Sequence, residues 1–127
     1  MKLLAWCTLL IFVVFGATLA QKTKPDPCAD AQSQAEMNIC AGKEYKAADA
    51  ELNQTYQKLS SMLEAEEKAQ LKEVENAWIK YRDLNCEFVA DQYKGGSIRP
   101  MIHGLCLADV TRNRTAELKN QIKDRSQ

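Results

Sequence analysis

The sequence predicts an all-α fold: a small antiparallel three-helix bundle stapled by two disulfides. Three observations carry that expectation. Three stretches place apolar residues at three- and four-residue steps, no window alternates apolar and polar residues with period two, and an even set of cysteines remains once a leader is set aside.

The leader is residues 1–20. Met1-Lys2 is a short positive start, and Leu3 to Leu19 is apolar apart from Thr8, Gly16 and Thr18. The stretch closes on Thr-Leu-Ala, small residues where a signal peptidase reads, so cleavage is expected after Ala20. The apolar run is long enough to span a bilayer, which makes a membrane anchor the competing reading. The small-residue site and the polar QKTKPDP that follows favour cleavage and an exported product without an anchor. Cys7 sits inside the apolar core behind Trp6, which does not suit lipoprotein processing.

Residues 21–127 are one domain by length. With Lys2 gone from the 17 basic side chains, the mature chain stands one charge short of its 17 acidic ones. That balance argues against nucleic acid and against a polybasic membrane contact. Without Cys7, the cysteines are Cys28, Cys40, Cys86 and Cys106, a disulfide framework with three possible pairings in an exported chain. Zinc is the alternative reading, but no C-x-x-C knuckle occurs and His103 is the only histidine, so no metal site is expected.

Residues 21–32, with Pro25 and Pro27, read as an extended lead-in. The helical domain, 33–127, starts on a capping box, Ser33-Gln-Ala-Glu36. A first helix to about Met62, some 45 Å long, puts Tyr45, Ala48, Leu52, Tyr56 (or Thr55), Leu59 and Met62 on one face. A second begins near Glu64, with Glu64, Glu66 and Glu67 at the positive end of its dipole. Leu71, Val74, Trp78, Tyr81 and Phe88 (with Val89) are its expected core stripe. The third runs from about Ile98 to Lys123 and should bury Met101, Leu105, Ala108, Leu118 and Ile122. In the KGGS loop between them, Gly95-Gly96 should stop the second helix in a left-handed conformation, Ser97 cap the third, and Pro100 occupy its first turn.

This layout gives the pairing. Cys86 late in helix two meets Cys106 early in helix three across an antiparallel turn, and Cys28 folds back onto Cys40. Each bridge, Cys28–Cys40 and Cys86–Cys106, is worth about 3 kcal/mol on the chain-entropy model.

Catalysis finds no candidate. His103 has no acid or nucleophile beside it in sequence, and the Glu64/Glu66/Glu67 group belongs to a solvated helix end. Trp78 and Tyr81 could form a carbohydrate platform but fall on the expected core stripe. Asn53-Gln-Thr55 and Asn113-Arg-Thr115 match the glycosylation triplet only inside helices. No phosphate loop and no cofactor motif is present.

"CADAQSQAEMNICA", "LNQTY", "AWIKYRDLNCEF" and "GGSIRPMIHGLCLADVTRNRTAEL" together resemble the LprI-like lysozyme inhibitor family of secreted bacterial proteins, over about Cys28 to Leu118. The resemblance implies a helical, disulfide-bonded, non-enzymatic protein of the periplasm or exterior, with lysozyme as partner. The family's namesake is a lipoprotein, and this chain lacks the lipid-attachment cysteine. A plug for a lysozyme cleft needs ordered donors for two carboxyl groups. Lys94, Gly95, Gly96, Ser97 and Arg99 are the candidate contact: two cations, a hydroxyl, and backbone that can come close. The polar face around Arg112 and Arg114 is a second candidate surface, and Arg82-Asp83 reads as an exposed or bundle-bridging pair rather than a site. A non-inhibitory adaptor module of the cell envelope is the alternative function.

Overall fold

A computed structural model describes residues 28–127, so the expected leader and most of the lead-in lie outside the described residues. Three helices follow in order: α1, Gln34–Ser61; α2, Ala65–Ala90; and α3, Arg99–Arg125. A short 3-10 turn, Asp91–Tyr93, continues α2. There is no strand among the described residues.

Local chemistry sets each boundary. The Ser33 hydroxyl accepts from the Glu36 amide at 3.2 Å, and the Glu36 carboxylate accepts from the Ser33 and Gln32 amides at 2.9 and 2.7 Å. Those backbone bonds hold the Glu36 carboxyl below its ordinary range. At α2, the Glu67 side chain reaches back to the Glu64 amide. The turn between α1 and α2 needs neither glycine nor proline. The Met62 and Leu63 amides close onto Leu59 and Ser60, and Leu63 is buried, which pins the corner.

Cross-links give the directions. Gln34 meets Met101 and Glu51 meets Lys119, so α1 and α3 run parallel. Cys86–Cys106, Glu75–Arg114 and Glu67–Arg125 set α2 antiparallel to α3. The α1–α3 contact is the most extensive in the molecule. Small residues allow it: a side chain at Gly104 would stand 3.0 Å from the Ala41 Cβ and 3.1 Å from its carbonyl carbon. Further along, Leu52, Leu59, Leu63, Leu71 and Leu118 form the core cluster, with Tyr56, Trp78 and Ile122 against it.

Both expected disulfides are present, Cys28–Cys40 and Cys86–Cys106, each with Cα atoms 5.5 Å apart. The described end of the lead-in is a turn rather than an extended strand: the Ala31 amide bonds to the Cys28 carbonyl, which swings Cys28 back onto α1.

The expected core stripe of α2 is corrected. The buried residues are Leu71, Glu75, Arg82, Cys86 and Ala90, whereas Val74, Tyr81 and Phe88 are exposed and Trp78 is half-buried. Cys86 must face α3 to make its bridge, and that requirement turns the helix by about one residue, roughly 100°. Two charged side chains enter the interior as a result. Arg114 donates to Glu75 at 3.0 Å and to Glu117 at 2.8 Å. Arg82 lies between the Tyr45 and Trp78 rings, with Asp83 at 2.8 Å and Asp49 at 3.6 Å. Burial works against the Arg114 cation, but the Glu75 and Glu117 carboxylates more than offset it and raise its pKa. Just past the end of α1, Met62 is likewise exposed and Leu63 is buried in its place.

Candidate functional site

The segment from Lys94 to Arg99 joins the end of α2 to the start of α3. Its turns are hydrogen-bonded: the Lys94 amide donates to Asp91, the Gly96 amide to Tyr93 at 2.9 Å, and the Arg99 amide to Gly96. Gly95 has φ +82°, a conformation in which a Cβ costs about 1–2 kcal/mol. Nothing lies within 4 Å of its Cβ position, so its backbone is uncovered. Gly96 is different: its φ is not positive, and a side chain there would stand 3.2 Å from the Tyr93 carbonyl oxygen. Only one glycine of the pair therefore supplies the left-handed residue. It comes after the 3-10 turn, five residues beyond the last residue of α2 proper.

Ser97 does not cap α3. The N-cap is Ile98, with no side-chain cap bond. Pro100 in the first turn lacks an N–H, so fewer donors there need a cap. The Ser97 carbonyl instead accepts from the Asn38 side chain at 3.0 Å, which ties the loop to α1. The Ser97 residue and Lys94 are exposed.

Arg99 closes the base of the loop. Its guanidinium donates to Asp91 at 2.8 Å and also to Glu87. His103 stands 3.5 Å from Glu87. The Arg99 cation holds the Asp91 carboxyl below its ordinary range. Behind this cluster, Cys86–Cys106 makes the covalent link between the same two helix ends. The loop thus has two exposed donors, Lys94 and Ser97, one open glycine, and a base fixed by ions and by sulfur.

The second candidate surface separates into two unlike residues. Arg112 pairs with Glu44 on α1 and with Asp109 at 3.2 Å, whereas Arg114 is buried and belongs to the interior network. A groove of about 340 Å³ runs between α1 and α2, edged by Asp49, Tyr56, Lys72, Glu75 and Arg82. Its buried charges, Glu75 and Arg82, already have partners in the network described above. Glu75 and Arg82 carried a signal in the sequence, since counting back from Cys86 in steps of four and seven reaches both. The acidic start of α2 lies at the other end of that helix from the loop, about 40 Å away. That is several screening lengths, so it can act on approach but not on the loop's contacts.

Among the described residues, no group of three or more His, Cys, Asp or Glu is placed to hold a metal ion. No described helix is long and apolar enough to cross a membrane.

Comparison with known proteins is consistent with this architecture. The family described as lysozyme inhibitor LprI matches residues 26–118. An uncharacterized protein of Rhizobium meliloti (strain 1021) is 44% identical over 113 residues, covering 79% of this chain and 81% of that protein. No solved structure matches.

Proposed function

Because the chain belongs to the LprI lysozyme inhibitor family, we propose that it is an exported inhibitor that binds lysozyme and plugs the active cleft with the tethered Lys94–Arg99 loop, protecting peptidoglycan. The observation that carries this reading is the loop's construction. Its tip is exposed, while its base is closed by Cys86–Cys106 and by Arg99 on Glu87 and Asp91.

A lysozyme cleaves between two carboxyl groups, one protonated and one ionised. Lys94 offers a cation to the ionised group, and the Ser97 hydroxyl can donate to or accept from either. Gly95 lets the backbone approach where a side chain would stand in the way. Arg99 has a different role from Lys94: its guanidinium is already engaged, so it positions the loop rather than the partner. Fixing the base in advance lowers the ordering cost of binding, which is where a short loop gains affinity.

The test is clearing of a peptidoglycan suspension by several lysozyme types, with and without the purified mature protein. Lys94→Ala and Ser97→Ala are each expected to weaken inhibition about tenfold, close to 1.4 kcal/mol. Arg99→Ala is expected to weaken it by loosening the base. Inhibition that survives all three changes places the contact elsewhere. A second reading, a non-inhibitory adaptor module of the envelope, is favoured by the apolar residues that α2 exposes. It takes over if no lysozyme type is inhibited at micromolar protein.

A further inference from the structure

One set of side chains on α2 is used by neither the core nor the loop. Val74, Ala77, Tyr81, Leu84 and Phe88 follow each other at steps of three, four, three and four. That spacing keeps side chains in one row along a helix that pairs with another helix. All five are exposed, Val74 at 52%, Tyr81 at 58%, Leu84 at 63% and Phe88 at 75%. The row lies off the face that carries Leu71, Glu75, Arg82 and Cys86, so no element of the described chain covers it. Gln70 and Asp91 occupy the next positions of the same spacing, which limits the row to two heptads, about 21 Å.

The row exposes on the order of 500 Å² of mainly apolar side chain, given the size of its aromatic residues. A monomer's largest patch is about 300–600 Å², so this one is at the upper end. Two such rows face to face bury about 1,000 Å², near the lower limit for a specific interface.

We propose that this row is a self-association interface: α2 of one copy packs antiparallel against α2 of a second copy, across a two-fold axis near residues 82–83. Size and charge both select that arrangement. Antiparallel pairing sets Ala77 against the second copy's large Phe88 and Tyr81 against its Leu84, so each of these layers combines a larger and a smaller side chain, and it leaves Val74 at the edge beside the second copy's Asp91. It also brings Lys80 beside the second copy's Glu87, twice per dimer. Glu87 already holds Arg99 and stands 3.5 Å from His103, but its side chain is 54% exposed and open to a further cation from solvent. Parallel pairing sets Phe88 on Phe88 and Ala77 on Ala77, which leaves layers of unequal size and forms no opposite-charge pair. In the antiparallel dimer the two α2 C-termini point opposite ways, so the two loops stand at opposite ends.

Sedimentation velocity on the mature chain, from about 1 µM to about 500 µM, reads this directly. The expected result is a shift from one chain to two with rising concentration. Leu84→Glu and Tyr81→Glu change exposed positions, so far-UV circular dichroism should be unaltered while dimerisation weakens at least about 100-fold. Lys80→Glu is expected to weaken it several-fold. For the direction, Tyr81→Cys chains mixed with Leu84→Cys chains should cross-link, and Tyr81→Cys chains alone should not. One chain at every concentration, or a dimer indifferent to Leu84→Glu, overturns the proposal. So does a wild-type monomer whose lysozyme inhibition is lost in Leu84→Glu, because the row then belongs to a foreign partner.

Discussion

Thr111 is fully buried on α3, and its hydroxyl has no hydrogen-bond partner among the described residues. The other buried threonines solve the same problem locally: the Thr115 hydroxyl donates to the Thr111 carbonyl at 3.0 Å, and the Thr55 hydroxyl to the Glu51 carbonyl at 2.9 Å. A buried hydroxyl without a partner costs about 1–3 kcal/mol. Thr111→Val keeps the branched shape and removes the orphan, so it should stabilise the domain by about 1 kcal/mol. For a domain of this size that corresponds to a rise of about 4–8 °C in the thermal midpoint, readable by calorimetry. A lower midpoint would mean that the hydroxyl is hydrogen-bonded in solution. At the same scale, Gly95-Gly96 marked the loop correctly, but a glycine pair does not say which member carries the positive φ. Ser97 misled in a related way. A serine before a proline-containing turn reads as a cap, yet its carbonyl, bonded to Asn38 from a distant helix, is the group that matters.

At the scale of the element, α2 separates what local patterning encodes from what it does not. Helix ends were legible to within about two residues, because the capping box, the acidic first turn of α2 and Pro100 act over a single turn. The face of α2 was not, because apolar side chains alone point to Val74, Tyr81 and Phe88. The disulfide overrides them: with Cys86 turned to α3, Glu75 and Arg82 follow inward at helical steps. The position of the loop was legible for the same local reasons, whereas the engagement of Arg99 by Glu87 and Asp91 depends on tertiary approach. The inward charges are testable as a pair. Glu75→Ala leaves Arg114 buried with only the half-exposed Glu117, and should cost about 3–5 kcal/mol in urea unfolding. Glu75→Leu combined with Arg114→Met should cost clearly less than the two changes summed. Simple additivity would show that the pair is not coupled.

The whole molecule has two unlike ends. The start of α1, the end of α2 and the start of α3 lie together, and this end carries both disulfides, the Arg99 cluster and the close approach of Gly104 to Ala41. The opposite end has the leucine cluster and the Glu67–Arg125 pair, with no covalent tie. Burial holds one end, and sulfur and charge hold the other, which is also the end that presents the loop. A domain of this size has about 5–15 kcal/mol of net stability, and two bridges at about 3 kcal/mol each are a large share of it. If the bridges acted only on the unfolded chain, reducing them would lower protection evenly. The uneven distribution of apolar packing leads to a different expectation. In a phosphine reductant, amides at 34–42 and 86–106 should exchange about 100-fold faster, while those around Leu59 and Leu118 should speed up by less than about tenfold. Lysozyme inhibition should then fall before helical circular dichroism does, because the loop loses its base while the leucine end still holds the helices. Uniform loss of protection would instead make the domain one cooperative unit, with the bridges serving its overall stability rather than the geometry of the loop.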